Sequence, residues 1–150
     1  DTISLAALTE EVFCDLDPVA EKHQVRLIQT DGDCTVTGSY ILLYRAVYNL
    51  VENAIKYTQP SGSVTVSIHT AESAVLEVTD TGIGISPENQ EKIFDPFYRV
   101  DKSRSRAMGG AGLGLALVSE IARQHNGQVK VTQSSEKGST IALMLPVTLL

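Results

Sequence analysis

The chain has no tryptophan, only two cysteines, no low-complexity tract and no apolar run near the roughly 20 residues that span a bilayer. Its N-terminus lacks the basic, apolar and small-residue succession of a signal peptide. A transmembrane helix and a secretory leader are therefore excluded within these 150 residues. Basic residues are scarce too: 12 Lys and Arg face 18 Asp and Glu, a net charge of −6 that leaves no general footprint for nucleic acid backbones or anionic membranes. Cys14 and Cys34 match no metal or redox spacing, so they are expected to be two buried free thiols, as suits a reducing cytosol.

What remains is an ordinary globular composition, 43% hydrophobic and 20% charged, in a chain long enough for a single domain with one core. The sequence opens on Asp1 and runs directly into helical periodicity, from which a segment of a longer polypeptide is expected. Leu5, Leu8, Val12, Leu16 and Val19 recur at helical spacing behind a Ser4 cap, making a helix the first expected element. Val25 to Gln29 and Thr35 to Thr37 read as short strands joined by the turn signal Asp31-Gly32-Asp33. A second helix, capped by Ser39, is expected to end near Tyr57. Alternation at Val64, Val66 and Ile68, followed by Ala74 to Thr79, predicts a hairpin. Ser86-Pro87-Glu88 predicts a short helix to Ile93, Leu113 to His125 a longer one stopped by Asn126-Gly127, and Val129 to Gln133 and Thr140 to Leu145 two more strands. The sum is an α+β fold: two layers, with three helices over one face of a mixed sheet.

Four polar or glycine-rich blocks sit where these elements end or turn. In the first, Asn49, Glu52, Asn53 and Lys56 share a helix face with Arg45. Glu52 and Lys56 are also an ordinary i, i+4 pair, and the stripe reads equally as a solvated face. Two asparagines one turn apart are nonetheless mediocre helix formers whose amide oxygens suit Mg²⁺, which takes its other ligands from water and phosphates. In the second block, Asp80 ends a strand and Gly82 and Gly84 follow it. That is either a simple turn or a carboxylate placed to accept from an exocyclic amine, beside a backbone bare enough for a flat ring. Neither a Rossmann nor a Walker A pattern is present.

In the third block, Gly109, Gly110, Gly112 and Gly114 run into the Leu113 helix, whose first N–H groups favour phosphate. They follow a loop, residues 95 to 112, that holds Arg99, Lys102, Arg104 and Arg106 and reads as a basic loop or a closing lid. The fourth, Gly138-Ser139-Thr140, opens the last strand and reads by itself as a turn; near a nucleotide the Thr140 hydroxyl would reach adenine directly or through water. Tyr57 either covers the base or belongs to the core.

Taken in order, these blocks resemble the catalytic, ATP-binding domain of bacterial two-component sensor histidine kinases, in the superfamily that also holds gyrase B, Hsp90 and MutL. Asn49 to Tyr57 is similar to the N box, Asp80 to Ile85 to the G1 box, Ile93 to Val100 to the F box and Gly109 to Leu115 to the G2 box. The resemblance implies a Bergerat-type two-layer sandwich with a five-stranded mixed sheet, built as one catalytic domain over residues 1–150. It implies ATP and Mg²⁺ as cofactors: Asn53 and Asn49 on the metal, Lys56 near phosphate, Asp80 on the adenine amine with Gly82 and Gly84, and a lid contributing Arg99, Lys102, Gly110, Gly112, Leu113 and Gly114. Asn49, Glu52 and Lys56 are the catalytic candidates, Glu52 in a supporting role.

Hydrolytic relatives place a glutamate where this chain has Asn49, and an amide cannot act as a base, which favours transfer to a protein nucleophile. His23, His69 and His125 are followed by Gln24, Thr70 and Asn126, unlike the family's acceptor histidine. The expected partners are thus a separate histidine-bearing dimerisation domain and a response regulator, with the parent a membrane-anchored sensor and this domain cytoplasmic. By itself the domain is expected to bind ATP without phosphorylating itself. A nucleotide-sensing module without phosphotransfer, or a serine kinase of the anti-sigma type, are the rival readings.

Overall fold

The computed structural model describes residues 1–96 and 114–148. Their order is β1 (Thr2–Ser4), α1 (Leu5–His23), β2 (Arg26–Gln29), β3 (Thr35–Thr37), α2 (Tyr40–Lys56), β4 (Ser63–Thr70), β5 (Ala74–Asp80), two 3-10 turns at Pro87–Asn89 and Lys92–Phe94, α3 (Gly114–Gln124), β6 (Gln128–Ser135) and β7 (Gly138–Leu145). Five strands form one sheet in the order β2-β4-β5-β7-β6. The β2–β4 pair is parallel and the rest are antiparallel, so the sheet is mixed as expected.

Side-chain alternation decides which face is covered. Val64, Val66 and Ile68 of β4, Ala74, Leu76 and Val78 of β5, and Ile141, Leu143 and Leu145 of β7 all belong to the buried core. Register aligns them across the strands, Val66 opposite Val78 and Val78 opposite Ile141. The helices close over this face with Leu8, Val12 and Leu16 of α1, Leu43, Leu50 and Ile55 of α2, and Val118 and Ile121 of α3. The expected two-layer sandwich is the observed one.

Helix starts follow their caps. The Ser39 hydroxyl accepts from the Leu42 N–H at 3.3 Å. The Ser4 hydroxyl accepts from the Ala7 N–H at 3.2 Å and donates to Asp33 at 2.8 Å. Asp33 also accepts from the Ala6 N–H at 2.9 Å and the Cys34 N–H at 2.7 Å. Partial burial works against the Asp33 charge, but the Ala6 N–H, the Ser4 hydroxyl and the Cys34 and Leu5 N–H groups outweigh it and hold the carboxyl below its usual range.

Four expectations are corrected. A short strand, β1, precedes α1, three residues being too few to carry a period. β2 and β3, expected as two short strands joined by a turn, belong to different sheets: β2 joins β4 in parallel, while β3 pairs with β1 in a separate two-stranded sheet. The helix expected from Ser86 is two 3-10 turns, because the Ser86 hydroxyl receives the Asn89 side chain at 2.7 Å and caps no backbone N–H. Cys14 is an exposed free thiol, and only Cys34 is buried.

Leu50 is 1% exposed, so Leu50→Ala should cost about 2–5 kcal/mol in urea unfolding with an unchanged m-value. Asp33→Ala should cost about 1 kcal/mol at neutral pH, as loss of a helix cap does. Because the folded carboxyl titrates below its unfolded value, the stability it contributes is present above about pH 4 and is lost as pH falls through the folded value. Parallel melts of both proteins from pH 7 to pH 2.5 should therefore converge at the acid end.

Candidate functional site

Helix α2 buries Leu43, Ala46, Val47, Leu50, Val51, Ala54 and Ile55 on one side. The 3.6-residue period then leaves Asn49, Glu52, Asn53 and Lys56 half-buried on its other side. Lys56 and Glu52 form an ion pair at 4.0 Å, partly exposed and so worth only about 0.3–0.5 kcal/mol. Asn49 lies against the first turn of α3, where a Cβ built on Gly114 would stand 3.8 Å from the asparagine Cγ. The structure thus brings the asparagine face and the start of α3 together.

The end of α2 meets the second block directly. The Tyr57 N–H caps the helix by donating to the Asn53 carbonyl at 3.3 Å. Its own carbonyl packs on Gly82, where any Cβ would come within 2.2 Å of the Tyr57 oxygen, so only glycine fits. Gly84 is held at φ +77°, and a Cβ built there would fall 2.0 Å from the Ser135 carbonyl oxygen. Between these two fixed glycines Ile83 is left 40% exposed, an apolar group beside the site that a reading of polar residues overlooks.

Asp80 closes β5 on the helix-covered face of the sheet, opposite Val64 and Ser139. One carboxylate oxygen accepts from the Gly82 N–H at 2.9 Å and the Ser139 N–H at 3.3 Å. The other accepts from the Ser139 hydroxyl at 3.0 Å. Burial raises the pKa of this carboxyl, and the Gly82 N–H, the Ser139 hydroxyl and the Ser139 N–H only partly offset it. Among the described residues no ion pair reaches Asp80. A desolvated acceptor held by neutral donors recognises an N–H donor better than a phosphate.

Thr140 does not join this group. Strand alternation turns it to the opposite face of the sheet, where its hydroxyl meets that of Thr79 at 2.9 Å. The hydroxyl beside Asp80 belongs to Ser139, and the missed signal was parity: in a strand that opens at Gly138, Ser139 faces the same way as the core residues Ile141 and Leu143. Asp95 and Pro96 are described; the rest of the expected lid, with Arg99, Lys102, Gly110 and Gly112, and also Leu113, lie outside the described residues.

A helix edge bearing amide oxygens, a desolvated carboxylate at a sheet end and a bare glycine turn between them form the arrangement expected for a nucleotide. Residues 38–149 match the family model described as histidine kinase-, DNA gyrase B-, and HSP90-like ATPase. The chain belongs to this ATPase family. Its curated relatives include the sensor histidine kinase RppB of Synechocystis, 44% identical over 93% of this chain and 31% of that protein. Another is the sensor-like histidine kinase SenX3 of Mycobacterium bovis, 46% identical over 79% of this chain and 30% of that protein. The chain therefore spans about a third of the length of these relatives. Among solved structures, a mycobacterial sensor histidine kinase, MprB, superposes with a TM-score of 0.81 at 29% identity, covering 100% of this chain and 99% of that one. The α+β sandwich is thus that of histidine kinase ATPase domains, and this ATPase domain corresponds to their ATP-binding catalytic part.

Asp80→Asn keeps all three hydrogen bonds, the amide oxygen accepting from Gly82 and Ser139 and the amide nitrogen donating to the Ser139 hydroxyl. It also removes a charge that burial disfavours. The substitution should leave the melting temperature of the nucleotide-free ATPase domain equal or higher at pH 7, the gain vanishing as pH falls and Asp80 takes up a proton in the native protein. A clear drop in thermal stability at pH 7 would contradict this account.

Proposed function

We propose that residues 1–150 are the catalytic domain of a sensor histidine kinase, holding Mg·ATP so that a histidine on a separate dimerisation domain attacks the γ-phosphorus. The bond from that phosphorus to its bridging oxygen breaks as the N–P bond forms, and ADP departs. The observation that carries the reading is Asn49: it lies on the α2 face against the first turn of α3, and its amide cannot deprotonate a water. Hydrolysis is disfavoured at the point where transfer needs only positioning.

Asn53 and Asn49 fit a magnesium ion as hard, neutral oxygen donors one helical turn apart. Among the described residues no group of three His, Cys, Asp or Glu offers a rival metal cage. The ion would take its other ligands from phosphates and water, and when bound would neutralise phosphate charge. Asp80 accepts from the adenine amine, Ser139 holds Asp80, Gly82 and Gly84 expose backbone to the ring, and Tyr57 covers it. Lys56, oriented by Glu52, faces the phosphates together with the first turn of α3 at Gly114. Arg99, Lys102, Gly110, Gly112 and Leu113, outside the described residues, are proposed to contribute to the lid.

The acceptor domain, a response regulator downstream and a membrane-anchored parent at the inner face of the cell membrane complete the proposal, with this domain cytoplasmic. No helix among the described residues is long and apolar enough to cross a membrane.

Mg²⁺-dependent binding of a fluorescent ATP analogue should weaken at least about tenfold in both Asn53→Ala and Asp80→Asn, roughly 1.4 kcal/mol each. Unchanged affinity in both would sink the nucleotide assignment. Mixing the chain with labelled ATP and a matching dimerisation domain should give an acid-labile, base-stable label. An acid-stable label would point to a hydroxyl acceptor, and binding without label to a nucleotide-sensing module.

A further inference from the structure

Helices α2 and α3 run antiparallel, and two contacts ten residues apart on α2 and eleven apart on α3 define how they are aligned: Asn49 with Gly114, and Ser39 with His125. The first lies at the proposed phosphate end. The second lies at the opposite end and uses both imidazole nitrogens. The His125 Nδ1–H donates to the Ile121 carbonyl at 2.8 Å, and Nε2 accepts from the Ser39 N–H at 3.1 Å. A carbonyl can only accept and an amide N–H can only donate, so the partners fix this tautomer. The ring also occupies the space a side chain at position 38 would need, since a Cβ on Gly38 would fall 2.3 Å from the His125 Cδ2.

Leu50 of α2 and Val118 and Ile121 of α3 belong to one buried core, which holds the two helices against each other. Beyond the Gly38 contact, packing at the His125 end is incomplete. A cavity of about 210 Å³ opens there, lined by His125, Leu43, Leu145 and Pro146 among others. The two His125 hydrogen bonds add a directional constraint on the sliding position of α3 at this end.

We infer that His125 is a positioning residue for phosphate binding: by tying the last turn of α3 to the capping residue of α2, it fixes where the first turn of α3 stands relative to Asn49. The inference rests on the nucleotide reading above. It separates two parts of the ligand. The adenine end meets Asp80, Ser139 and Gly82, none of which is on α3, whereas the phosphates meet the start of α3. Loss of the tie should weaken the second contact and spare the first.

The test is a pair of titrations, adenosine and Mg·ADP, followed by NMR on the whole chain with His125→Phe, which keeps the ring volume against Gly38 but forms neither hydrogen bond. Mg·ADP should bind about fivefold more weakly, as for one lost hydrogen bond, while adenosine affinity stays within twofold and the Gly114 amide signal moves. His125→Gln, which restores an acceptor and a donor, should recover most of the loss. If His125→Phe does not fold, His125→Ala is read in the same two titrations. Equal weakening of both ligands would show general loosening and overturn the inference, as would no weakening of either. Asn53→Ala and Asp80→Asn, run alongside, report on the nucleotide reading itself: if they weaken Mg·ADP and the His125 variants do not, only the positioning role fails.

Discussion

One carboxylate organises the ligand side of this domain. Asp80 is placed at a sheet end, deprived of water and satisfied by neutral donors alone, all from Gly82 and Ser139. Those donors bring together parts of the chain 59 residues apart. Through the close seat of Gly82 on the Tyr57 carbonyl, the same knot fixes the end of α2 and with it the asparagine edge. A salt-bridged aspartate would stabilise the empty fold better and recognise an amine worse, because its lone pairs would already be engaged by a cation. The domain keeps an acceptor poised at the expense of burying a charge, the usual tension between stability and function at a binding site.

Helix α2 resolves a second tension in the same economical way. Its 17 residues cover the sheet and also carry a half-buried asparagine edge. The helical period divides these duties cleanly, Leu50, Ala54 and Ile55 going to the core and Asn49, Asn53 and Lys56 to the site. Since Leu50 and Asn49 are neighbours in sequence, the packing that immobilises one immobilises the backbone of the other. The rigidity of the asparagine edge is borrowed from the core.

Much of this was legible in the sequence, and the exceptions share a cause. α2 and the β4–β5 hairpin sustain their periods long enough to be read, and their caps and turns agree with those periods. β1 and β3, with three residues each, carry no period, and their pairing is chosen by where α1 and α2 set their ends. Around the site, residue types pointed to the groups the fold brings near one another: amides, a carboxylate, glycines. The hydroxyl expected to reach adenine was Thr140, whereas the one on the Asp80 side is Ser139, because chemistry alone does not reveal which of two adjacent residues faces the core, and one step along a strand reverses the face. His125 was weighed only as a phosphate acceptor, since its actual partners, the Ile121 carbonyl and the Ser39 N–H, are backbone groups that no side-chain motif announces.

Both described ends of the chain are fastened to β3. The Asp1 carbonyl accepts from the Gly38 N–H at 3.0 Å beside the β1–β3 pairing, and the Thr148 N–H donates to the Thr35 carbonyl at 3.0 Å. The asparagine edge sits farther along α2, roughly 20 Å away at 1.5 Å per residue from Ser39 to Asn53. Helix α2 therefore acts as a spacer: the β1–β3 pairing lies at its start and the asparagine edge near its far end, so a shift at one end is carried to the other as a rigid displacement and not absorbed between them.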